Sequence, residues 1–458
     1  MINKKIFFVL NTAILIASSE SAYAASDVYR FVGYGPISSA MGGSAMAHDV
    51  GVAGMMANPA TLSLMREGAK FHLGADVIMT DISVKNLDTG ERADSNNHAN
   101  NRGPYIAPQL AYAYHAHPYT FGVGLFAYGG VGTEYGDHSF LSRATGGVET
   151  GLDNASRLLT LNIPFAASYE VNDRLSVGAS IDAVWQGLNV DLLMGADQVA
   201  ALTGSGRATG SLIPVLGSLP DFRGVHLSFS KNQPVASGVD AWGLNGRIGM
   251  LYKITDNTMF GLSYAMESKI ADMKGNASLT AVDAIAGQIS LQGRVKVRDF
   301  QSPAQLSIGF SHQVNDQWLI AADLSRVFWE HAMKDIDIGF VDNSGANLDI
   351  LIPQNYKDQT ALSLGTAYEV GKWTLRAGAR FATQALRSDT LLALVPATPN
   401  TFGTAGFSYQ LSQHDQLDFS WTHSFKKEMT NSSLPNTSAS VRVSQMQDSM
   451  SIAYTYQF

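Results

Sequence analysis

The chain contains no cysteine. That absence excludes a disulfide scaffold, a thiolate zinc site and a cysteine nucleophile together, and it suits passage through an oxidising compartment without requiring it. Charge is also scarce: 15% of the 458 residues are Asp, Glu, Lys or Arg, against about a quarter in ordinary soluble domains. The net charge of -8 and a pI near 5.7 leave no basic excess of the kind a nucleic-acid binder presents. Past the first two dozen residues, no apolar run approaches the ~20 residues that a membrane-crossing helix needs. The HExxH, Walker A and G-x-S-x-G patterns are missing, and Gly204 to Gly210 only approximates a dinucleotide fingerprint, in a loop and without flanking βαβ pattern. His115 and His117 lie near a turn without further ligands in sequence. No catalytic residue, no metal and no cofactor is therefore expected.

The chain is rich in glycine, with 43 residues, above the usual ~7%. Apolar residues make up 45%, yet the mean hydropathy is zero. Met1 to Ala24 reads as a secretory signal: Lys4 and Lys5, then the apolar run Ile6 to Ala17, then Ala22-Tyr23-Ala24 as a small-x-small cleavage pattern. The rest is expected to be either a soluble exported protein or a closed β-barrel, the other structure whose backbone hydrogen bonds are all satisfied in lipid.

The last residues favour the barrel. Met450, Ile452, Tyr454, Tyr456 and Phe458 share one strand face, and Ser449, Ser451, Ala453, Thr455 and Gln457 the other. The aromatic end at Phe458 resembles the signal that outer-membrane assembly machinery reads. Upstream, Trp373, Leu375, Ala377, Ala379 and Phe381 oppose Thr374, Arg376, Gly378 and Arg380, while Leu417, Phe419, Trp421 and Phe425 oppose Asp418, Ser420, Thr422 and Ser424. Short turns at His117-Pro118, 171–174, 255–258, 315–317, 370–372 and 413–415 alternate with long polar connections, the longest at 193–240. Short turns at one end and long loops at the other are the outer-membrane pattern, and the count implies about fourteen strands. The expected fold is all-β: a transmembrane antiparallel barrel spanning residues 69–458, after a signal peptide at 1–24 and a separate segment at 25–68.

That separate segment has neither a strand nor a clean helix period. It mixes small residues with Met41, Met46, Met55 and Met56, whose flexible side chains fit irregular apolar partners. Composition leaves two readings open, a plug inside the barrel or a periplasmic extension. Ala40-Met41-Gly42-Gly43-Ser44-Ala45-Met46-Ala47-His48-Asp49, followed by Asn58-Pro59-Ala60-Thr61-Leu62, resembles the hatch signature of the FadL family of outer-membrane transporters for hydrophobic compounds. Ser44 departs conservatively from the family's GGA-like run. The resemblance extends to length, strand count and aromatic end, and so covers the mature chain.

The resemblance implies an N-terminal hatch in the lumen with Gly42, Gly43, Asp49, Asn58, Pro59 and Ala60 as its motif. It implies passive uptake of hydrophobic molecules, long-chain fatty acids foremost, by loop capture, lumenal binding and lateral release through an inward kink of the third strand. Aromatic hydrocarbons taken up by the same route, or a general diffusion porin, are the alternatives. The partners implied are a hydrophobic ligand, outer-membrane lipid and the assembly machinery acting at Phe458, with no nucleic acid and a monomeric state.

Three groups of residues are candidates for the route. The third strand, near Tyr119 to Tyr135, carries Gly129, Gly130 and Gly132; glycine there marks a kink or relieves crowding on a curved wall. Asn58-Pro59-Ala60 is expected beside it. In the longest loop, Leu212, Ile213, Val215, Leu216 and Leu219 form a capture surface or pack the loop onto the barrel, and Leu391 to Val395 raises the same question. Arg294, Lys296 and Arg298 alternate with Val295 and Val297 and are expected to face the lumen, as are Arg247, Arg376 and Arg380. These cations would hold a ligand headgroup, or pair with Asp182, Glu267, Asp323 or Asp418.

Overall fold

The computed structural model describes residues 28–96, 104–229 and 238–458. The signal segment Met1 to Ala24 lies outside the described residues. Alternation of apolar and small polar residues makes long strands, and these close on themselves into one antiparallel ring. In chain order they are β1 (Gly68–Asn86), β2 (Tyr105–Ala116), β3 (Tyr119–Glu134), β4 (Ala155–Asn172), β5 (Leu175–Gly195), β6 (Phe222–Phe229), β7 (Val239–Thr255) and β8 (Thr258–Ala265). They continue as β9 (Met273–Asp283), β10 (Gln305–Asn315), β11 (Trp318–Val327), β12 (Gln359–Val370), β13 (Trp373–Ala382), β14 (Thr401–Gln410), β15 (Asp415–Asn431) and β16 (Val441–Gln457). The seam between β16 and β1 is in register from Lys70 opposite Gln457 to Asn86 opposite Val441.

The expected count of about fourteen is corrected at one level of this ring. Nearer the short turns β5 pairs directly with β7, from Gly187 opposite Asp240 to Leu175 opposite Tyr252. Farther out, β6 and β9 enter between them: β5 pairs with β6, β6 with β9, and β9 with the first residues of β7. The circuit through these two strands holds sixteen. β6 comes from the stretch read as the longest loop, 193–240, whose polar composition suits a sheet surrounded by water.

Facing follows burial. Along β2 the residues alternate, with Ala107, Gln109, Ala111, Ala113 and His115 buried and Ile106, Leu110, Tyr112 and Tyr114 exposed. Outward side chains such as Leu73, Phe165, Ile181, Trp242, Leu244, Phe310 and Ile452 are each at least 49% exposed. In water this surface would be unstable, so it is the lipid-facing surface. The inward set includes Asp182, Arg247, Asp323, Arg380 and Asp418, each no more than 5% exposed. Among the described residues, no helix is long and apolar enough to cross a membrane.

Residues 28–65 lie against the inner wall. A short helix, Gly35–Ala40, leads to Gly42 and Gly43, whose φ angles of +67° and +83° turn the chain in the left-handed region. Two 3₁₀ turns follow, Gly51–Met56 and Pro59–Leu64. The wall makes room with glycines that face one another across strands: Gly178 opposite Gly249, Gly261 opposite Gly309, and Gly365 opposite Gly378. A Cβ on any of the six would strike the segment: Ala60 at Gly178, Asn58 at Gly249, Met46 at Gly261 and Gly309, Met41 at Gly365, and Gly42 at Gly378.

This cradle yields a test. Gly378→Val is expected to speed amide exchange across Gly42 to Met46 by about tenfold or more while the barrel stays folded. Gly204→Val, where a Cβ meets nothing within 4 Å, is expected to leave that exchange unchanged. Hydrogen exchange read by mass spectrometry on the two variants decides it.

Candidate functional site: a gap in the wall and the cavities behind it

In the hatch-like motif each polar group has a defined task. Asn58 caps the turn Pro59–Leu64: its side chain accepts from the Ala60 amide at 3.1 Å, and Pro59 occupies the first turn, where no N–H is needed. The Asn58 Nδ2 donates to the carbonyls of Met46 at 2.7 Å and Met250 at 3.1 Å, tying segment to wall. The Gly42 amide donates to Thr404 Oγ1 at 2.9 Å, and that hydroxyl donates to the Ala40 carbonyl. Asp323 Oδ2 accepts from the amides of Ala45 at 2.6 Å and Met46 at 3.1 Å. Asp49 is exposed and accepts from the Gly51 amide at 2.7 Å, which shapes the turn into the next part of the segment.

The third strand departs from the ring. β2 pairs with β1 as far as Tyr105 opposite Ile78. Its pairing with β3 stops at Gln109 opposite Phe126. A bulge follows in the β3–β4 register between Ala127 and Gly129, after which β3 stays paired with β4 to Glu134. Alternation breaks at the same place, where Phe126, Ala127, Tyr128 and Gly129 are all buried. The strand has turned inward, leaving the Tyr105 to Pro108 edge of β2 without β3 beside it.

The freed edge of β3 is taken by the N-terminal segment. Arg30 bridges Gly129, the Gly130 amide donates to the Tyr29 carbonyl at 2.7 Å, and the Phe31 amide donates to the Tyr128 carbonyl at 3.4 Å. A Cβ at Gly129 would run into the Tyr29 carbonyl, and one at Gly130 would sit 2.7 Å from the Leu158 carbonyl. Gly129 and Gly130 thus stand at the bend, and Gly132 lies three residues beyond Gly129 near the Tyr105 hydroxyl. The expectation that Asn58-Pro59-Ala60 packs here is corrected: that tripeptide sits against Gly178 and Gly249, and Tyr29 to Phe31 sit at the bend. Pro108 was the overlooked signal, since a proline cannot donate to a neighbouring strand and marks the end of a ladder.

Behind the gap lies a cavity of about 560 Å³ lined by Phe31, Asp76, Ile106, Gly130, Leu158 and Met450, among others. Ile106 and Met450 are also lipid-facing, at 72% and 40% exposure, so this cavity reaches the outer surface of the wall. A second, apolar cavity of about 50 Å³ is lined by Leu188, Leu192, Phe300, Ile338, Tyr356 and Leu394, with no charged side chain. Tyr29, Val131 and Leu158 line both, so these three side chains form the partition between them.

The loop candidates fold inward. Leu212 and Leu216 are buried at 3% and 5%, Ile213 and Leu219 are half-buried, and Val215 alone of the five is exposed, at 53%. Of their two readings, packing onto the barrel describes four. Leu391 to Val395 also enters the interior: the Leu394 carbonyl accepts from Thr133 Oγ1 and Ser156 Oγ, and the Ala393 carbonyl from the Tyr135 hydroxyl.

The cation expectation divides. Arg247, Arg376 and Arg380 face inward; Arg376 donates to Ser408 at 2.6 Å and Arg380 to Ser363 at 2.7 Å. Arg294, Lys296 and Arg298 do not face inward. Val295 and Val297 are the buried pair, at 2% and 0%, because this strand, Gly287–Arg298, belongs to the outer extension where water replaces lipid outside. Lys296 pairs with Asp272 at 2.7 Å, and Arg298 with Asp337 and Asp349. The Lys296 ammonium hydrogen-bonded to Asp272 holds that carboxyl below its usual range. Glu267 contacts His331 rather than a lumenal cation. His115 and His117 both face Glu170, at 3.6 and 3.4 Å, and no described cluster of His, Asp or Glu is placed to hold a metal.

Residues 14–458 match the family described as outer membrane protein transport protein (OMPP1/FadL/TodX). The chain is similar to the solved toluene transporter TodX of P. putida, with 36% identity over 93% of this chain and 99% of that one and a TM-score of 0.83. The toluene transporter TbuX of Ralstonia pickettii is 44% identical over 93% and 99%, with a TM-score of 0.80. A long-chain fatty acid transport protein of Escherichia coli is 23% identical over 92% of each chain. A ring of lipid-facing strands, a wall interrupted at β3 and these relatives agree: the chain belongs to the OMPP1/FadL/TodX family of outer-membrane transport proteins, which take up hydrophobic compounds.

Proposed function

We propose that the chain takes up small uncharged hydrophobic molecules, monoaromatic hydrocarbons foremost, and releases them sideways into the membrane between β2 and β3. The observation that carries this reading is the unpaired stretch of wall opposite Tyr105 to Pro108, backed by a cavity that reaches lipid-facing Ile106 and Met450. A greasy solute leaving by that gap never enters water, and so avoids a transfer cost of about 0.8 kcal/mol per CH₂. Residues 28–65 act as the hatch: they occupy the lumen, which a general diffusion porin would need open. Gly129, Gly130 and Gly132 set the kink that makes the exit.

The apolar cavity supports an uncharged substrate, because a carboxylate placed among Leu188, Phe300, Ile338 and Leu394 would be buried without a cation. The toluene-transporting relatives support the same class. Long-chain fatty acids are the second reading, favoured by Arg30 and Arg157 on the wall of the larger cavity and by the fatty acid transport relatives. Val215, exposed on the outer helix Leu212–Gly217, is left as the contact point for initial capture.

Two measurements test the reading. Gly130→Val is expected to cut uptake of radiolabelled toluene about tenfold or more in cells whose barrel still assembles, as judged by heat-modifiable migration; undiminished uptake would sink the lateral route. Excess unlabelled ethylbenzene is expected to compete with toluene, and excess oleate to change toluene uptake by less than about twofold. Strong competition by oleate alone would instead assign the site to fatty acids.

A further inference from the structure

The cavity behind the gap has two unlike sides. Val131 and Leu158, from β3 and β4, line one of them with Phe31 of the N-terminal segment. The other is polar and comes from the inward faces of β15, β16 and β1. Strand register sets it out in rows: Ser420 opposite Ser451 and Ser451 opposite Asp76, then Thr422 opposite Ser449, then Ser424 opposite Gln447 and Gln447 opposite Thr80. Directly opposed side chains on neighbouring strands lie about 5 Å apart, so these groups form one continuous patch. In the smaller apolar cavity the one hydroxyl outside tyrosine, that of Ser156, is spent on the Leu394 carbonyl.

The charged groups on the larger cavity's wall are engaged. Arg30 donates to Gln305 and lies over the Tyr128 ring, Arg157 lies over the Tyr105 ring, and Asp76 is hydrogen-bonded by Ser451 and Gln109. Some of the neutral groups are engaged too: Ser424 Oγ accepts the Gln447 amide at 2.7 Å, and Ser449 Oγ accepts from Gln447 Nε2 at 3.0 Å. The hydroxyls of Ser420, Thr422 and Thr80 line the cavity without a hydrogen bond to any other described residue. A hydrocarbon gains nothing from them, and it displaces the water that would otherwise satisfy them. A solute with an apolar ring and one neutral hydroxyl matches both sides. A phenol is such a solute, uncharged at pH 7 because its O–H ionises near pH 10 as tyrosine's does. The volume of about 560 Å³ is ample for one.

We propose that this cavity binds hydroxylated aromatic rings of the phenol class, with the ring against Val131 and Leu158 and the hydroxyl on the patch at Thr422 and Ser420. Its place on the path rests on the lateral route proposed above, but binding does not depend on where the solute leaves. The substrate class then widens from hydrocarbons to their monohydroxylated relatives, and Thr422 and Ser420 set the preference between the two.

The test uses the full chain in detergent. In crystals grown with 4-bromophenol, a bromine anomalous peak is expected in this cavity on its Leu158 side, with the ring oxygen toward Thr422. In calorimetric titrations with p-cresol and toluene, Thr422→Val combined with Ser420→Ala is expected to lower the ratio of p-cresol to toluene affinity about fivefold or more, since both hydroxyls are lost and the shape is nearly kept. Thr422→Ser, which retains a hydroxyl, is expected to hold that ratio within about twofold of the wild type. No bromine peak, a peak only in the smaller apolar cavity, or a ratio unmoved by the double substitution would each overturn the proposal, and the first two need no variant to fold. Undiminished toluene uptake in Gly130→Val would sink the lateral route and leave the binding result untouched.

Discussion

In hydrocarbon a backbone amide has no partner except another group of the protein, and each one left alone costs several kcal/mol. The ring satisfies this condition by closing, with β16 zipped to β1. It is relaxed where β3 leaves β2, and there the Tyr29 carbonyl takes the Gly130 amide at 2.7 Å. This substitution of an N-terminal residue for a neighbouring strand permits a gap in a membrane wall without exposing the bent strand's edge to lipid. The cavity behind the gap, the burial of Phe126 to Gly129 and the position of Tyr29 all follow from it.

A segment can serve that purpose only if it is held in a fixed place. The facing glycine pairs on β5 and β7, β8 and β10, and β12 and β13 bring the wall's backbone directly against the segment. Asp323, Thr404, Asn58 and Ser311 then satisfy amides and carbonyls that would otherwise be buried unpaired. Small residues set the distance and polar residues set the register. The glycine excess of the sequence therefore belongs to the wall as much as to the segment itself.

Much of the architecture was legible in the sequence. Period-two alternation identified strands such as β13, β15 and β16, and the Asn, Asp, Gly and Pro turns located one end of the barrel. Alternation gives two faces but not which of them points inward. At Trp373 to Phe381 the greasy face meets lipid, whereas at Arg294 to Arg298 the same pattern puts valine inside and cations outside, because that strand stands in water. For the apolar residues of the longest loop, composition left capture and packing both open, and only the folded loop shows that Leu212 and Leu216 are buried. The register irregularity beside Gly129 falls where glycine in a strand pointed to a bend or to relief of crowding. The neighbour of these glycines was not readable, because nothing in the tripeptide Asn58-Pro59-Ala60 specifies which wall strand it meets.

The central claim is that solute leaves between β2 and β3. Ala107 and Ala127 share one apolar cluster at the edge of the gap, and the chain has no native cysteine to interfere. A variant carrying Ala107→Cys and Ala127→Cys would join the two strands under oxidation and free them on reduction. Toluene uptake into vesicles holding this barrel should fall about tenfold or more when the bond forms and recover with reductant. Full uptake by the oxidised, cross-linked barrel would contradict the account.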